Sequence, residues 1–360
     1  MPSEAVNTPG AATRLRRPVL ALATMAALAI TFNLVLRHTA LWYWFPVQYP
    51  DAARIYSFAV DPTPYDVVVI GSSVSHRGLI SRVMEEELDR LMPRNRPWSA
   101  YNLGMRGGTL PAYIEVARNL LPLRPRPRLV VLMFTTFNFN SLADNRDDAK
   151  LFTSEPEDFL TLLRHSRQER ARWSALSAML HGPQVLLQAY QIPGDRKHMK
   201  KYAEMRGSAF SYPFDAEARE KNARLLPTDR MKARDEKLVE MRDRWFSRGA
   251  ELSAITEIWM RRLTRSLREQ EISFIVLLAP EAEWFVKNLY TDERVNADRF
   301  LRKLSAEEGW TYYDLSAPPF HFRDDEFSDL CNHLGPEGAE KLSRDLVRLV
   351  IVPELGAREP

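Results

Sequence analysis

Cysteine is nearly absent from this 360-residue chain, where Cys331 stands alone. No intrachain disulfide can form, and a zinc site built on cysteines is excluded. The fold must therefore rest on its apolar core. A dominant charge sign is also missing. Fifty Lys and Arg oppose 47 Asp and Glu, for a net +3, and no long run of one sign points to nucleic acid. The seven histidines show no short metal-ligand spacing, so neither a metal nor another cofactor is expected. No Gly-x-Gly-x-x-Gly turn follows the strand-like run at Asp66–Ile70, which disfavours dinucleotide binding. Internal repeats and long low-complexity tracts are lacking as well.

One long apolar run is present. Residues 18–36, PVLALATMAALAITFNLVL, carry no charge. As a helix they would rise about 28 Å at ~1.5 Å per residue, close to the thickness of a hydrocarbon core. Arg14, Arg16 and Arg17 precede the run, and Trp42, Tyr43, Trp44 and Phe45 follow it at the level of an interfacial aromatic belt. The basic flank predicts a single-pass anchor, with residues 1–17 cytoplasmic and the remainder extracytoplasmic, in the periplasm or at the cell surface. A cleaved signal peptide is the rival reading, although no clear small-x-small site ends the run.

Past a linker over 37–64, five short runs read as buried strands. They are Asp66–Ile70, Ser99–Leu103, Leu129–Phe134, Ile272–Leu278 and Thr311–Leu315. Three are almost wholly apolar, as strands covered on both faces should be. Helical patterns fall at Leu79–Leu91, Pro111–Leu121, Glu251–Gln270 and Gly338–Val352. The alternation predicts an α/β domain over 65–352, with a mainly parallel five-stranded sheet between helices and a short tail over 353–360. Residues from about 145 to 250 break the rhythm. They are charged, lack strand patterns and are read as a helical insertion.

Two motifs carry chemistry. The first strand ends in Gly71-Ser72-Ser73 ahead of a helix. Such a turn presents a side chain at the carboxyl edge of a parallel sheet, where ligands of open α/β folds bind. Taken alone, the serines read equally well as helix caps. The second motif is Asp329-Leu330-Cys331-Asn332-His333, in a loop before the last helix. A serine hydroxyl needs an adjacent base to become a nucleophile, and a histidine oriented by a carboxylate supplies one. His76 lies three residues after Ser73, so on a helix the two share a face. It is read either as a substrate contact or competing base, or as a surface or capping histidine.

Together, the glycine-serine turn and the Asp-His loop resemble the two ends of SGNH (GDSL-like) hydrolases. With Gly71-Ser72-Ser73 in the first block, the chain resembles the membrane-anchored cell-envelope branch of teichoic-acid D-alanylation and alginate O-acetylation proteins. The resemblance covers about residues 65–140 and 270–350. It implies a three-layer flavodoxin-like fold, with Ser73 as nucleophile, His333 as base and Asp329 as its partner. Asp329 stands one residue farther from the histidine than the family spacing, and Asp324 and Asp325 are substitutes. The second block, Asn102-Leu103-Gly104-Met105-Arg106-Gly107-Gly108, implies an oxyanion donor at Gly107, with Gly104 and Gly108 as alternatives. The third block lacks its glycine. There, Asn138 is implied as the oxyanion amide, completing the hole with the Ser73 and Gly107 N–H groups, and Asn140 is read as capping a turn.

The resemblance implies an extracytoplasmic serine esterase or O-acyltransferase acting on acyl esters of a cell-envelope glycan through acyl-Ser73. Its partners would be the acylated glycan or acyl donor, the membrane, and a multi-span membrane acyltransferase. The competing expectation is a catalytically inactive SGNH-fold scaffold or glycan-binding protein.

Overall fold

The computed structural model describes residues 52–105, 108, 110–139, 201–224, 254–329 and 332–357, with part of 20–31. Five strands form one sheet: β1 Val67–Gly71, β2 Ala100–Gly104, β3 Leu129–Phe134, β4 Phe274–Leu278 and β5 Thr311–Asp314. All neighbouring pairs are parallel, in the order β2-β1-β3-β4-β5. Each strand lies within two residues of its sequence-derived position.

The apolar strand sequences follow from burial on both faces. Because side chains alternate along a strand, Val68, Ile70, Val130, Leu132, Val276 and Leu278 enter one core. Val67, Val69, Leu129, Val131, Ile275 and Leu277 enter the other. The first core is closed by α1 (Ala52–Val60), α4 (Leu110–Glu115), α6 (Ala254–Glu269) and α8 (Thr291–Glu308), which contribute Phe58, Tyr113, Leu263 and Leu301. The second is closed by α2 (Ser73–Gly78), α3 (Ser81–Leu91), α7 (Glu283–Leu289) and α9 (Pro336–Leu346), through Val74, Val83, Phe285 and Leu342. Each such fully buried aliphatic or aromatic side chain stabilises the fold by about 1.5–3 kcal/mol.

Some helices differ from expectation. The pattern over Leu79–Leu91 is interrupted, because Leu79 and Ile80 are extended between α2 and α3. The Gly71-Ser72-Ser73 turn therefore leads into its own six-residue helix. Helices α7 and α8 carry no strong sequence signal. In α8 only Arg294, Ala297, Leu301 and Leu304 are buried, a narrow stripe on a charged helix. Helix α1 falls in the stretch that sequence alone leaves without elements. It packs Phe58 against Tyr65 and Tyr101 at ring-centroid distances of 5.6 and 5.1 Å.

Of the charged insertion, residues 201–224 are described, with α5 at Ala216–Ala223. This segment docks on the free edge of β2. The Asn102 N–H donates to the Arg206 carbonyl at 2.9 Å, covering an otherwise open edge. Gly207 has φ 77°, and a Cβ there would overlap the Asn102 carbonyl oxygen, so glycine is required for the approach. Phe210 then enters the second core.

Most of the apolar run 18–36, with its arginine and aromatic flanks, lies outside the described residues. Within it, Leu20, Met25 and Leu28 are helical and exposed. Among the described residues, no helix is long and apolar enough to cross a membrane.

Candidate active site

The order β2-β1-β3 makes β1 the strand where successive connections leave in opposite directions. A crevice opens at the carboxyl end of such a strand. Here β1 ends at Gly71, where a Cβ would overlap Ser75 Oγ and the Met133 carbonyl oxygen. Only glycine lets the chain bend this tightly between β3 and α2. Ser72 caps the helix, its Oγ accepting from the Val74 N–H at 3.3 Å. The capping role therefore belongs to Ser72, and Ser73 is left as the first helical residue, partly exposed.

Opposite Ser73 stands His333, 260 positions later in the chain, with Nε2 2.8 Å from Ser73 Oγ. On its other side, His333 Nδ1 is hydrogen-bonded to Asp329 Oδ2. With Nδ1–H donating to the carboxylate, Nε2 is the acceptor and the Ser73 hydroxyl donates to it. This is the arrangement a serine nucleophile needs: base within proton-transfer reach, and base oriented by a carboxylate. Asp329 is buried, whereas the His333 side chain is 20% exposed.

The carboxylate reaches the imidazole despite the longer spacing. Phe327 and Leu334 form an antiparallel bridge at its base. The Ser328 N–H and Oγ–H both donate to the His333 carbonyl, at 2.7 and 3.0 Å. The remaining Asp329 oxygen, Oδ1, accepts from the Asn332 and His333 N–H groups at 3.1 Å each. These bonds tie Asn332 and His333 back to the carboxylate. One side chain thus folds the loop and orients the imidazole. The alternative carboxylates do neither: Asp325 pairs with Arg323, and Asp324 accepts from the Trp284 N–H at 3.4 Å.

The second sequence block surrounds α2. Asn102 is fully buried, and its Nδ2 donates to the Ser75 and Leu79 carbonyls at 2.7 and 2.8 Å. Its Oδ1 accepts from the Gly104 N–H at 2.9 Å. The Gly108 N–H donates to the Met105 carbonyl at 2.9 Å. Both alternative glycines are therefore occupied within the turn, and Gly107 lies outside the described residues. A Cβ on Gly104 would overlap the His76 backbone nitrogen and sit 2.8 Å from its Cα. That contact shows how closely β2 approaches α2.

After β3, Asn138 is buried in a short helical turn. Its Oδ1 accepts from the Thr135 N–H at 2.9 Å. Its amide hydrogens face the Gly108 carbonyl at 3.2 Å and the Tyr113 hydroxyl at 3.5 Å. Asn138 thus ties the β3 turn to the glycine turn after β2. Behind it, Glu281 accepts from Thr136 Oγ1–H at 2.8 Å and from Arg294 Nη1–H at 2.7 Å. Arg294 also pairs with Asp314. Burial opposes the charge on Arg294, but Glu281 and Asp314 outweigh it and push the guanidinium pKa above its ordinary value. Asn140 lies outside the described residues.

His76 does not act as a second base through Nε2. That nitrogen is 2.7 Å from Arg54 Nη2, and a guanidinium can only donate. Arg54, from α1, is fully buried and also donates to the Gly104 carbonyl. Sequence reasoning missed Arg54, Glu281 and Arg294, since each meets its partners only through the fold. Asn102 had a signal in the Asn-x-Gly triplet, but its clamp on α2 did not.

Two grooves flank the site. One, of about 540 Å³, lies between α5 and the histidine loop and is lined by Phe214, Arg219, Phe327 and Ser328 among others. The other, of about 860 Å³, lies over the ends of β4 and β5, with Glu281, Arg294 and Phe320 in its lining. Ser73 lines neither. Among the described residues, no group of three or more His, Cys, Asp or Glu is gathered as a metal ion would need. Neither a protein-family model nor a curated protein sequence matches the chain.

Proposed function

We propose that the chain is a membrane-anchored, extracytoplasmic serine esterase or O-acyltransferase of the SGNH type, acting on acyl esters of a cell-envelope glycan. The observation that carries this reading is the contact of Ser73 Oγ with His333 Nε2 at 2.8 Å, with Asp329 behind the imidazole. Ser73 Oγ attacks the ester carbonyl carbon while His333 Nε2 takes its proton. The tetrahedral oxyanion is held by the Ser73 and Gly107 N–H groups and by the Asn138 amide, which gives up one of its two long contacts to do so. Collapse expels the alcohol, which leaves with the proton from His333, and acyl-Ser73 remains. Water or a sugar hydroxyl then attacks in the same manner, giving hydrolysis or transfer. Each oxyanion donor contributes roughly a hundred- to a thousandfold in rate. The apolar run 18–36 supports placement at the membrane, where a multi-span acyltransferase would supply the acyl group.

A second reading, a non-catalytic scaffold or glycan-binding protein, draws on the engagement of the Asn138 amide hydrogens within the fold. A fluorophosphonate probe decides between them. The full-length protein is expected to be labelled at Ser73, and Ser73→Ala is expected to abolish both labelling and hydrolysis of short-chain p-nitrophenyl esters. Failure of the intact protein to take label would leave only the scaffold.

A further inference from the structure

We propose that Arg54 is a positioning residue for the Ser73 nucleophile, acting through the ring of His76. The inference rests on the esterase reading above for its kinetic consequence, but its geometry stands apart from it. Ser73 begins a helix of only six residues. A helix that short does not hold itself together in water, because its few internal hydrogen bonds do not repay the ordering of the backbone. Its orientation must come from outside.

Two outside contacts are backbone clamps. Asn102 grips the Ser75 and Leu79 carbonyls, and the Ala209 N–H of the docked insertion donates to the His76 carbonyl at 3.0 Å. These fix the lower end of the helix. The contact that grips a side chain on the Ser73 side is Arg54. His76 is one turn from Ser73, so the two share a face. Holding the imidazole therefore sets the rotation of α2 about its axis, and that rotation decides where Ser73 Oγ points relative to His333.

The planar guanidinium suits this task. One arm reaches His76 Nε2 at 2.7 Å and the other the Gly104 carbonyl, at the end of β2. Arg54 thereby bridges the nucleophile helix to the turn that continues toward Gly107, and Tyr202 lies against its face at 5.2 Å. A lysine ammonium has no fork and reaches the two acceptors poorly. Donation from Arg54 also dictates the protonation of His76: Nε2 must present its lone pair, so the neutral ring carries its hydrogen on Nδ1.

The test uses full-length protein with 15N-labelled histidine, the His76 signals being assigned by their loss in His76→Gln. Long-range 1H–15N spectra of the wild type should show His76 as the neutral Nδ1–H form. In Arg54→Met that pattern should give way to a tautomer mixture or a protonated ring. The rate of fluorophosphonate labelling at Ser73 should fall about ten- to a hundredfold in Arg54→Met. Arg54→Lys should recover only part of it. Losses in Arg54→Met and His76→Phe should not multiply in the double variant, because both act on one contact. Wild-type labelling in Arg54→Met, or multiplicative losses, would overturn the proposal. Should Arg54→Met fail to fold, the wild-type spectrum still decides: an Nε2–H or imidazolium His76 refutes the Arg54 contact. If the wild type is not labelled but His76 is Nδ1–H, the esterase reading fails while the Arg54–His76 geometry stands.

Discussion

Replacing Asp329 by asparagine separates the two tasks that the structure gives to one carboxylate. The loop task belongs to Oδ1, which accepts the Asn332 and His333 N–H groups. An asparagine carbonyl can keep both contacts. The orienting task belongs to Oδ2, which accepts from His333 Nδ1–H. There an asparagine presents N–H instead, so the imidazole turns its Nδ1 lone pair toward it and moves its hydrogen to Nε2. That hydrogen then faces Ser73 Oγ, and the base has lost its acceptor. Restoring the working tautomer places two buried donors against each other, at about 1–3 kcal/mol for each unsatisfied group. The imidazolium formed during attack also loses its counter-charge, worth up to ~5 kcal/mol for a contact pair at an effective dielectric constant near 20. Because His333 is partly exposed, we expect about 4–5.5 kcal/mol in all, or about 10³–10⁴ in rate. The assay is the second-order rate of fluorophosphonate labelling, paired with a melting curve. Asp329→Asn should melt within a few degrees of wild type. Asp329→Ala leaves two buried N–H groups unpaired and should lose about 2–4 kcal/mol of stability. Labelling of Asp329→Asn within tenfold of wild type would refute the orienting role. A melting temperature as low as that of Asp329→Ala would refute the loop role.

Two further predictions concern the scaffold around the site. Gly104→Ala pushes a methyl group into the His76 backbone and should cost about 1–3 kcal/mol, seen as a lower urea midpoint together with slower labelling. Gly309→Ala meets no atoms but sits at φ 71°. It should cost about 1–2 kcal/mol with labelling unchanged, and equal slowing of labelling in the two variants would count against the close approach. Glu87, a buried residue of α3, is hydrogen-bonded by Arg90, which outweighs the burial. With Arg348 it holds the carboxyl at about 2. A depressed carboxyl pKa stabilises the fold above about pH 4.5, and that stability is lost as pH falls toward 2. Glu87→Gln should therefore melt lower at pH 7, by a difference on the order of 1–3 kcal/mol given the partly exposed arginines. The gap should narrow below about pH 4.5 and close only toward pH 2, and a gap independent of pH would remove Glu87 from this role.

How much of this was legible beforehand depends on how far apart the partners lie in sequence. The β-branched runs at Val67–Ile70 and Leu129–Phe134 announce their strands because burial on both faces leaves no polar position to confuse the pattern. Ser73, Asp329 and His333 were identified as residue types at two loop ends, and the fold brings those ends together. The spacing of Asp329 departs from the family pattern, yet its hydrogen bonds to Asn332 and His333 are a property of the folded loop and leave no mark in the sequence. Helix α8 was missed because four buried positions in eighteen residues leave little apolar periodicity. Arg54 was missed for a deeper reason. A charged residue carries no mark of burial, and its acceptors lie 22 and 50 positions away. The glycine turn after β2 was recognised as a turn, yet the occupied N–H groups of Gly104 and Gly108 depend on how that turn closes.

The closed histidine loop has a mechanical consequence. Carboxylate and imidazole ride on a single strap tied at its base by Phe327 and Leu334, so their separation is indifferent to breathing of the sheet. The contact with the serine, by contrast, joins two distant parts of the chain. A perturbation that leaves the strap intact can still lengthen that contact, with the rest of the fold unchanged.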